Sequence, residues 1–407
     1  MTNCTSNNVN ELIENNYSKF KSANHCLINN KMISKKIVKF NIVWKLISYL
    51  SKVPFVAQLI QNSYYYFFSY PKTMQLHINS ECNYNCLYCY VNDKKVKPLN
   101  TKKLLDLITQ AKKLRVYNID FLGGEPFLHK DFYKLLQYTS KQNIDITIFT
   151  NGILINDDWI KKIKQLNTQK LLVIKYDYNK EIYGRLTGKE QNFTKIKKII
   201  KKCVSAKIPV VTFAVITKFN VNHIDSMISN SLKLGALPMF ERYLPVRDEK
   251  INKKLEISKE EWEQVLVKIT NFYLSIKEII EGVGYLSGGM CSCFGNNLSI
   301  MQDGTVKPCP EASSFLSVGN VNSSSLKKIW KNSKKKRKEW LTIPKECKQC
   351  KNKYLCRGGC KAHAFIKYKS LKYKDPLCNN NIPTTYPHCI FSLVRLLKKQ
   401  NQTIIKK

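Results

Sequence analysis

Glu81-Cys82-Asn83-Tyr84-Asn85-Cys86-Leu87-Tyr88-Cys89-Tyr90 is the stretch on which the reading of this 407-residue chain turns. Its three cysteines are spaced C-x3-C-x2-C, with the aromatic Tyr88 just before the last. Three thiolates this close can hold three corners of a four-iron cluster and leave the fourth iron without a protein ligand. An open iron can bind a substrate or cofactor, which a closed structural site cannot. A three-cysteine zinc site with a distant fourth ligand is the plainer alternative.

Working outward from the triad, the chain alternates between two periodicities. Strands are expected at 73–79, 118–122, 144–149, 171–176, 209–216 and 239–244, and helices at 101–114, 132–138, 157–166, 193–206 and 221–234. Six strand–helix units imply a parallel sheet with right-handed crossovers. Six are too few for the closed eight-unit barrel. The expected fold is therefore α/β, an open, curved (β/α)6 partial barrel over residues 73–250. Its active-site loops should gather beyond the C-terminal ends of the strands. The triad follows the first strand, where that rule wants it.

The flanks read differently. Residues 1–72 are polar and then helical, with Ile42, Leu46, Leu50 and Val53 on one face. Lys45, Lys52 and Pro54 interrupt the apolar run before it reaches the ~18 residues of a spanning helix. No transmembrane segment is expected. Residues 251–283 form a helical linker, 284–385 a small cysteine-rich domain, and 386–407 a helix with a basic tail.

The chain carries 68 Lys+Arg against 29 Asp+Glu, a net charge of +39. That suits an acidic partner, yet Lys, Asn, Ile and Tyr are all abundant and share AT-rich codons. Nucleic acid is not the expected partner. Fifteen cysteines are many, but the opening Met1-Thr2-Asn3-Cys4 lacks the basic and apolar regions of a secretory signal. A cytoplasmic setting is expected, with thiols that ligate metal rather than pair as disulfides.

The triad with Tyr88 resembles the signature of the radical S-adenosylmethionine (SAM) enzymes. In that family the open iron of a [4Fe-4S] cluster chelates SAM, and an electron from the cluster cleaves it to methionine and a 5′-deoxyadenosyl radical. That radical takes a hydrogen atom from the substrate. The resemblance implies further roles. Gly123-Gly124-Glu125-Pro126 matches the run that receives the SAM amino group. Asn151 is either a contact to the ribose or methionyl part or one half of an ordinary Asn-Gly turn. Similar proteins often have Ser-x-Asp at the end of the fourth strand and an Arg downstream for the SAM carboxylate. Here Lys175 stands where the Ser would be and Arg185 lies ten residues on, so both are candidates and the departure leaves their assignment open. Glu241 and Arg242 either line the cleft or form a surface ion pair.

A second set of cysteines, Cys347-x2-Cys350-x5-Cys356-x3-Cys360 followed by Cys378, is preceded by Gly304-x4-Cys309 and by Cys291 and Cys293. Four of them could close one zinc ribbon, which would leave the others unexplained. The pattern resembles the SPASM extension of many radical SAM enzymes, over roughly residues 290–380. That resemblance implies two auxiliary four-iron clusters with interleaved ligands. One would take Cys291, Cys293, Cys309 and Cys360, and the other Cys347, Cys350, Cys356 and Cys378. The Cys291-x-Cys293 spacing is tighter than in well-known relatives, and one spare member would leave an open coordination site for substrate. Cys4, Cys26, Cys203 and Cys389 fit neither pattern.

The resemblance implies an enzyme that modifies a peptide or protein and draws on a low-potential electron donor of the flavodoxin or ferredoxin type. Relatives that mature sulfatases have an Asp base directly after the cysteine matching Cys309. Here Pro310 stands there, and Glu311, next in line, is the candidate base. A dehydrogenase or epimerase acting on a sugar or aminocyclitol is the first alternative. A zinc-bound, basic nucleic-acid-binding protein is the second.

Overall fold

Alternation of buried and half-buried side chains builds the strands. In β1 (Thr73–His77) Met74 and Leu76 are fully buried in the main hydrophobic core, while Thr73 and Gln75 point the other way. A period of two puts successive side chains on opposite faces, so one face meets helices and the other lines the interior of the curved sheet. The computed structural model describes residues 70–91, 95–275, 293–295, 297–350 and 353–378. The helices expected near 42–53 and at 389–399 lie outside the described residues, as do most of the N-terminal extension, the basic tail, Cys4, Cys26, Cys291 and Cys389.

β1 is followed by β2 (Asn118–Leu122), β3 (Asp145–Thr150), β4 (Lys170–Lys175), β5 (Val210–Ile216) and β6 (Leu237–Arg242). Each runs parallel to the next, in chain order. The intervening helices are α1 (Thr101–Lys113), α2 (Phe132–Lys141), α3 (Asp157–Lys164), α4 (Lys180–Thr187), α5 (Phe193–Ser205) and α6 (Ile224–Lys233). Two more, α7 (Glu249–Leu255) and α8 (Lys259–Ser275), follow β6.

Local chemistry explains where these helices start and which face they bury. Asn100 caps α1 by accepting from the Lys103 amide at 2.9 Å, and Leu104, Leu107, Ile108 and Ala111 form its buried stripe. Asn156 caps α3, whose first turn is acidic and last turn basic, as the helix dipole favours. Cys203 sits in the core on α5, and burial pushes its thiol up to about 12. It is a packing residue. The short α4 was not foreseen from the sequence. Its signals were local ones, an Asn179 cap accepting from Ile182 N at 2.8 Å and a left-handed Gly188 at its end.

The cysteine-rich region departs furthest from expectation. Its periodicity fades in the sequence, yet it adds three strands to the same sheet: β7 (Asn297–Ile300), β8 (Thr305–Lys307) and β9 (Gly319–Asn320). β7 runs parallel to β1, and β8 and β9 continue antiparallel, giving the order β6-β5-β4-β3-β2-β1-β7-β8-β9. Gly304, with φ +87°, makes the tight turn between β7 and β8. The helix expected at 326–340 is two, α9 (Leu326–Asn332) and α10 (Lys334–Leu341), broken where Ser333 Oγ donates to the Trp330 carbonyl at 2.8 Å. Phe294 packs edge-on against Trp330 and Trp340, which joins this region to the main core. α11 (Lys353–Cys356) and α12 (Lys361–Tyr368) complete the described elements. Among the described residues no helix is long and apolar enough to cross a membrane.

Candidate active site

The loop leaving β1 carries Cys82, Cys86 and Cys89, and three neighbours shape it. Leu87 N donates to the Leu186 carbonyl of α4 at 2.9 Å. The Tyr84 hydroxyl meets that of Tyr183 at 3.0 Å and accepts from Asn192 Nδ2 at 2.9 Å. Asn151, after β3, donates from Nδ2 to Asn83 Oδ1 at 2.7 Å. The unforeseen α4 is thus the shelf on which the cysteine loop rests.

A strap after β2 closes the loop from the other side. Gly124 N donates to the Asn79 carbonyl at 3.1 Å, and Glu125 N to the Glu81 carbonyl at 2.7 Å. Asn79 Nδ2 donates to the Glu125 carbonyl at 2.8 Å. A Cβ on Gly124 would stand 1.9 Å from the Glu81 carbonyl oxygen, and one on Gly123, whose φ is +146°, 2.5 Å from that of Asn79. Both glycines are required because two backbones meet there.

The Glu125 side chain does something the sequence did not suggest. It turns inward and accepts from Thr150 Oγ1 at 2.7 Å, Asn151 N at 2.8 Å and Phe127 N at 3.2 Å. It ties the end of β2 to the end of β3. Burial pushes its carboxyl up to about 7, and these donors pull back only in part. Pro126 is buried at the start of a short 3-10 turn, above an edge-on cluster of Phe127, Phe132 and Trp159.

The other candidates are placed as follows. Asn151 Oδ1 accepts from Ile153 N at 3.1 Å, so the residue makes its turn and reaches the cysteine loop as well. Lys175, at the end of β4, is buried and paired to Asp177 at 2.6 Å, with its ammonium 4.8 Å from the centroid of the Tyr88 ring. Arg185 lies on α4, half exposed, and pairs with Glu181 one turn back at 2.9 Å. Arg242 is not part of a surface ion pair. It is buried and grips both oxygens of Asp375, at 3.1 and 2.6 Å. Asp375 went unnoticed in the sequence, because an Asp three residues before a cysteine carries no periodic or motif signal.

Cys86 is within electrostatic reach of both Cys82 and Cys89. Burial pushes the Cys86 thiol up to about 12, while a hydrogen bond with Tyr88 opposes the shift. A thiol held neutral in this way is a poor free nucleophile, and bound iron is the partner that would displace its proton and stabilise the thiolate. Asn79 Oδ1, buried between strap and loop, has no hydrogen-bond partner. A glycine cradle, an orphaned acceptor and three adjacent thiols fit a cluster with a small polar ligand on it. Among the described residues no three His, Cys, Asp or Glu side chains converge on a single-ion position.

In the second set Cys347 feels Cys378 and Cys350, and burial raises its thiol first of all. Cys309 follows β8 and is buried. Lys307 Nζ donates to the Pro310 and Ala312 carbonyls at 2.7 and 2.8 Å and so holds the Cys309 loop. Glu311 on that loop is pushed well above the carboxylate range, by burial and then by Glu241 of β6. Both acids also act on Tyr90, next to Cys89. The interior of the barrel therefore joins the two cysteine sets through Tyr90, Glu241 and Glu311. His77, also facing inward and stacked edge-on with Tyr90, was likewise missed; burial lowers it to about 3.

Comparison with known proteins agrees with this arrangement. Residues 77–229 match the radical SAM superfamily, and residues 291–358 match an iron-sulfur cluster-binding domain, SPASM. The chain is 24% identical over 317 residues to a mycofactocin maturase of Mycobacterium ulcerans, covering 73% of this chain and 85% of that protein. It is 26% identical over 329 residues to a cysteine-type anaerobic sulfatase-maturating enzyme of Clostridium novyi, covering 70% and 86%. The fold resembles that of Streptococcus suis SuiB bound to its precursor peptide SuiA, with a TM-score of 0.62 and 19% identity over 80% of this chain and 79% of that one. A triad seated after the first strand, the glycine strap after the second and the cysteines beyond β8 thus have one shared explanation: the chain belongs to the radical SAM superfamily, with a C-terminal SPASM domain, and is an enzyme of [4Fe-4S] clusters and SAM.

Proposed function

We propose that this enzyme is a peptide maturase, in which Cys82, Cys86 and Cys89 hold the SAM-binding cluster and the SPASM cysteines hold auxiliary clusters. When bound, that cluster would supply the electron for SAM cleavage, and with it the radical chemistry that takes a hydrogen atom from the substrate. The residues around it orient and confine. The Gly123-Gly124 strap sets the distance between the cysteine loop and the end of β2. Glu125 and Asn151 lock the end of β3 against that loop. Glu311 is the candidate base on the substrate side, and it accepts a proton there only once it has lost the one that burial and Glu241 lead it to keep.

The observation that carries the peptide reading is the extent of likeness to maturases, which runs through both the barrel and the SPASM region. Half-buried Phe149, Phe213 and Met239 on the inner face of β3, β5 and β6 suit an extended, partly apolar chain. A net charge of +39 suits an acidic leader segment. A flavodoxin or ferredoxin as donor, a cytoplasmic setting and the division at residues 72, 250, 283 and 385 belong to the same reading. Pro310, where a sulfatase-maturating base would stand, argues for a different peptide substrate.

The test is anaerobic reconstitution of the full chain, with SAM, dithionite and the short peptides encoded beside its gene. The expected result is 5′-deoxyadenosine together with a loss of hydrogen from one peptide by mass, and neither with Cys86→Ala. Turnover of a sugar or aminocyclitol with no change in any peptide would replace this reading by the small-molecule alternative.

A further inference from the structure

Residues 241 and 242 are neighbours on β6, so their side chains leave the strand on opposite faces. Glu241 faces the interior and Glu311. Arg242 leaves the barrel, passes over the Trp262 ring of α8 with 5.8 Å to its centroid, and enters the SPASM region. There its two terminal nitrogens meet both oxygens of Asp375. The guanidinium also hydrogen-bonds Cys360.

Asp375 is a hub. Besides Arg242 it accepts from Cys360 N at 2.8 Å and Leu377 N at 3.1 Å, and it contacts His363 Nδ1 at 3.2 Å. Its own amide donates to the Gly358 carbonyl, and its carbonyl accepts from Cys378 N, both at 2.8–2.9 Å. Arg242 and Asp375 are each almost wholly buried. Cys360 also caps α12, its sulfur accepting from His363 N at 3.5 Å. The Cys360 sulfur is therefore met by a guanidinium and by a helix N-terminus.

We propose that Arg242 is a positioning residue that sets the reduction potential of the auxiliary cluster ligated by Cys360, with Asp375 as the counter-charge that tempers it. This rests on Cys360 being a cluster ligand. A donor to a ligating sulfur stabilises the more negative, reduced cluster and raises its potential. A planar fork can serve Asp375 and Cys360 together, which a lysine cannot do as well. The same strand that presents Glu241 to the substrate thus tunes one electron-carrying centre from behind.

The two partners predict shifts of opposite sign, which a merely structural role would not give. The full chain, reconstituted anaerobically, is titrated under electron paramagnetic resonance, and the SAM-binding cluster is recognised by the response of its signal to SAM. Arg242→Gln is expected to lower the midpoint of one auxiliary signal, changing its reduced-to-oxidised ratio about tenfold at fixed potential, or about 59 mV for one electron. Asp375→Asn is expected to raise the same midpoint, and Arg242→Lys to lie between Arg242→Gln and the parent. The SAM-binding cluster should not move. Shifts of the same sign, no shift, or loss of iron from Arg242→Lys would overturn the proposal. Cys360→Ala separates the underlying reading: it should lose iron, and full iron retention there would show that Cys360 is no ligand.

Discussion

Strands β1 to β6 carry rows of fully buried aliphatic residues, Met74, Leu76, Ile119, Ile148 and Leu172 among them, packed against helices with matching stripes. Among the described residues of 342–378, the buried apolar side chains are Pro344, Cys347, Cys356, Ala362 and Ala364, with Ile366 and Leu371 partly buried against the main core. That segment is organised by turns such as Cys350 N to the Cys347 carbonyl, by short helices, and by the hub at Asp375. Apolar burial of roughly 25 cal/mol per Å² can hold the barrel together. It contributes far less in a segment whose buried apolar side chains are few and small, and bonds to a cluster are the natural substitute. The barrel is held by its apolar core, and the extension is expected to lean on its metal.

The strongest way to break this contrast is to remove iron. Chelation under reducing conditions is expected to abolish amide-exchange protection across 342–378 while α1, α2 and β1 to β4 stay protected. Equal loss in both regions would show that the barrel too depends on its cluster. The next test lies on the barrel side. Gly124→Ala forces a Cβ into the Glu81 carbonyl, and a displacement of about 1 Å at the site should cost on the order of 100-fold in 5′-deoxyadenosine formation. Iron content of the auxiliary region should not change. A variant with parental turnover would mean the strap does not set the distance to the cysteine loop.

A subtler probe uses protonation. Burial raises the folded-state pKa of Glu125 to about 7 from the ordinary 4.5 of a glutamate. Between those values the folded protein keeps a proton that the unfolded chain has released. The stability due to this group is full below pH 4.5 and is lost as pH rises through about 7. Glu125→Gln should therefore flatten the fall in urea midpoint between pH 5 and 8, a difference of about 3 kcal/mol at most. Identical slopes for parent and variant would place the ionised carboxylate in the folded state throughout. Smallest of all is Arg185→Ala. Its half-exposed pair with Glu181 should contribute no more than about 1 kcal/mol to stability. With the guanidinium so engaged, SAM affinity should change less than about tenfold; a larger loss would return Arg185 to the SAM carboxylate.

Much of this was legible beforehand, and the reasons are physical. The six parallel strands announced themselves because aliphatic residues at period two and helical stripes at i, i+3 and i+4 are local patterns. The strands at 297–300, 305–307 and 319–320 did not, since four, three and two residues cannot establish a period. Their place beside β1 is decided by pairing across more than 200 residues of chain. The cysteine loop was readable from spacing, yet its support by α4 was not, because Leu87 to Leu186 is a long-range contact.

Sequence alone determined the chemistry available: a C-x3-C-x2-C loop after a strand, two adjacent glycines after the next strand, and a second run of thiols. Each is set by residue type and short spacing, which the chain cannot alter by folding. Only the tertiary structure decided what the polar residues between them do. Glu125 became a staple because three donors converge on it, Lys175 was committed to Asp177, and Arg242 was drawn through the barrel wall to Asp375. Side chains with charge take the partners that burial brings them, and burial belongs to the whole fold.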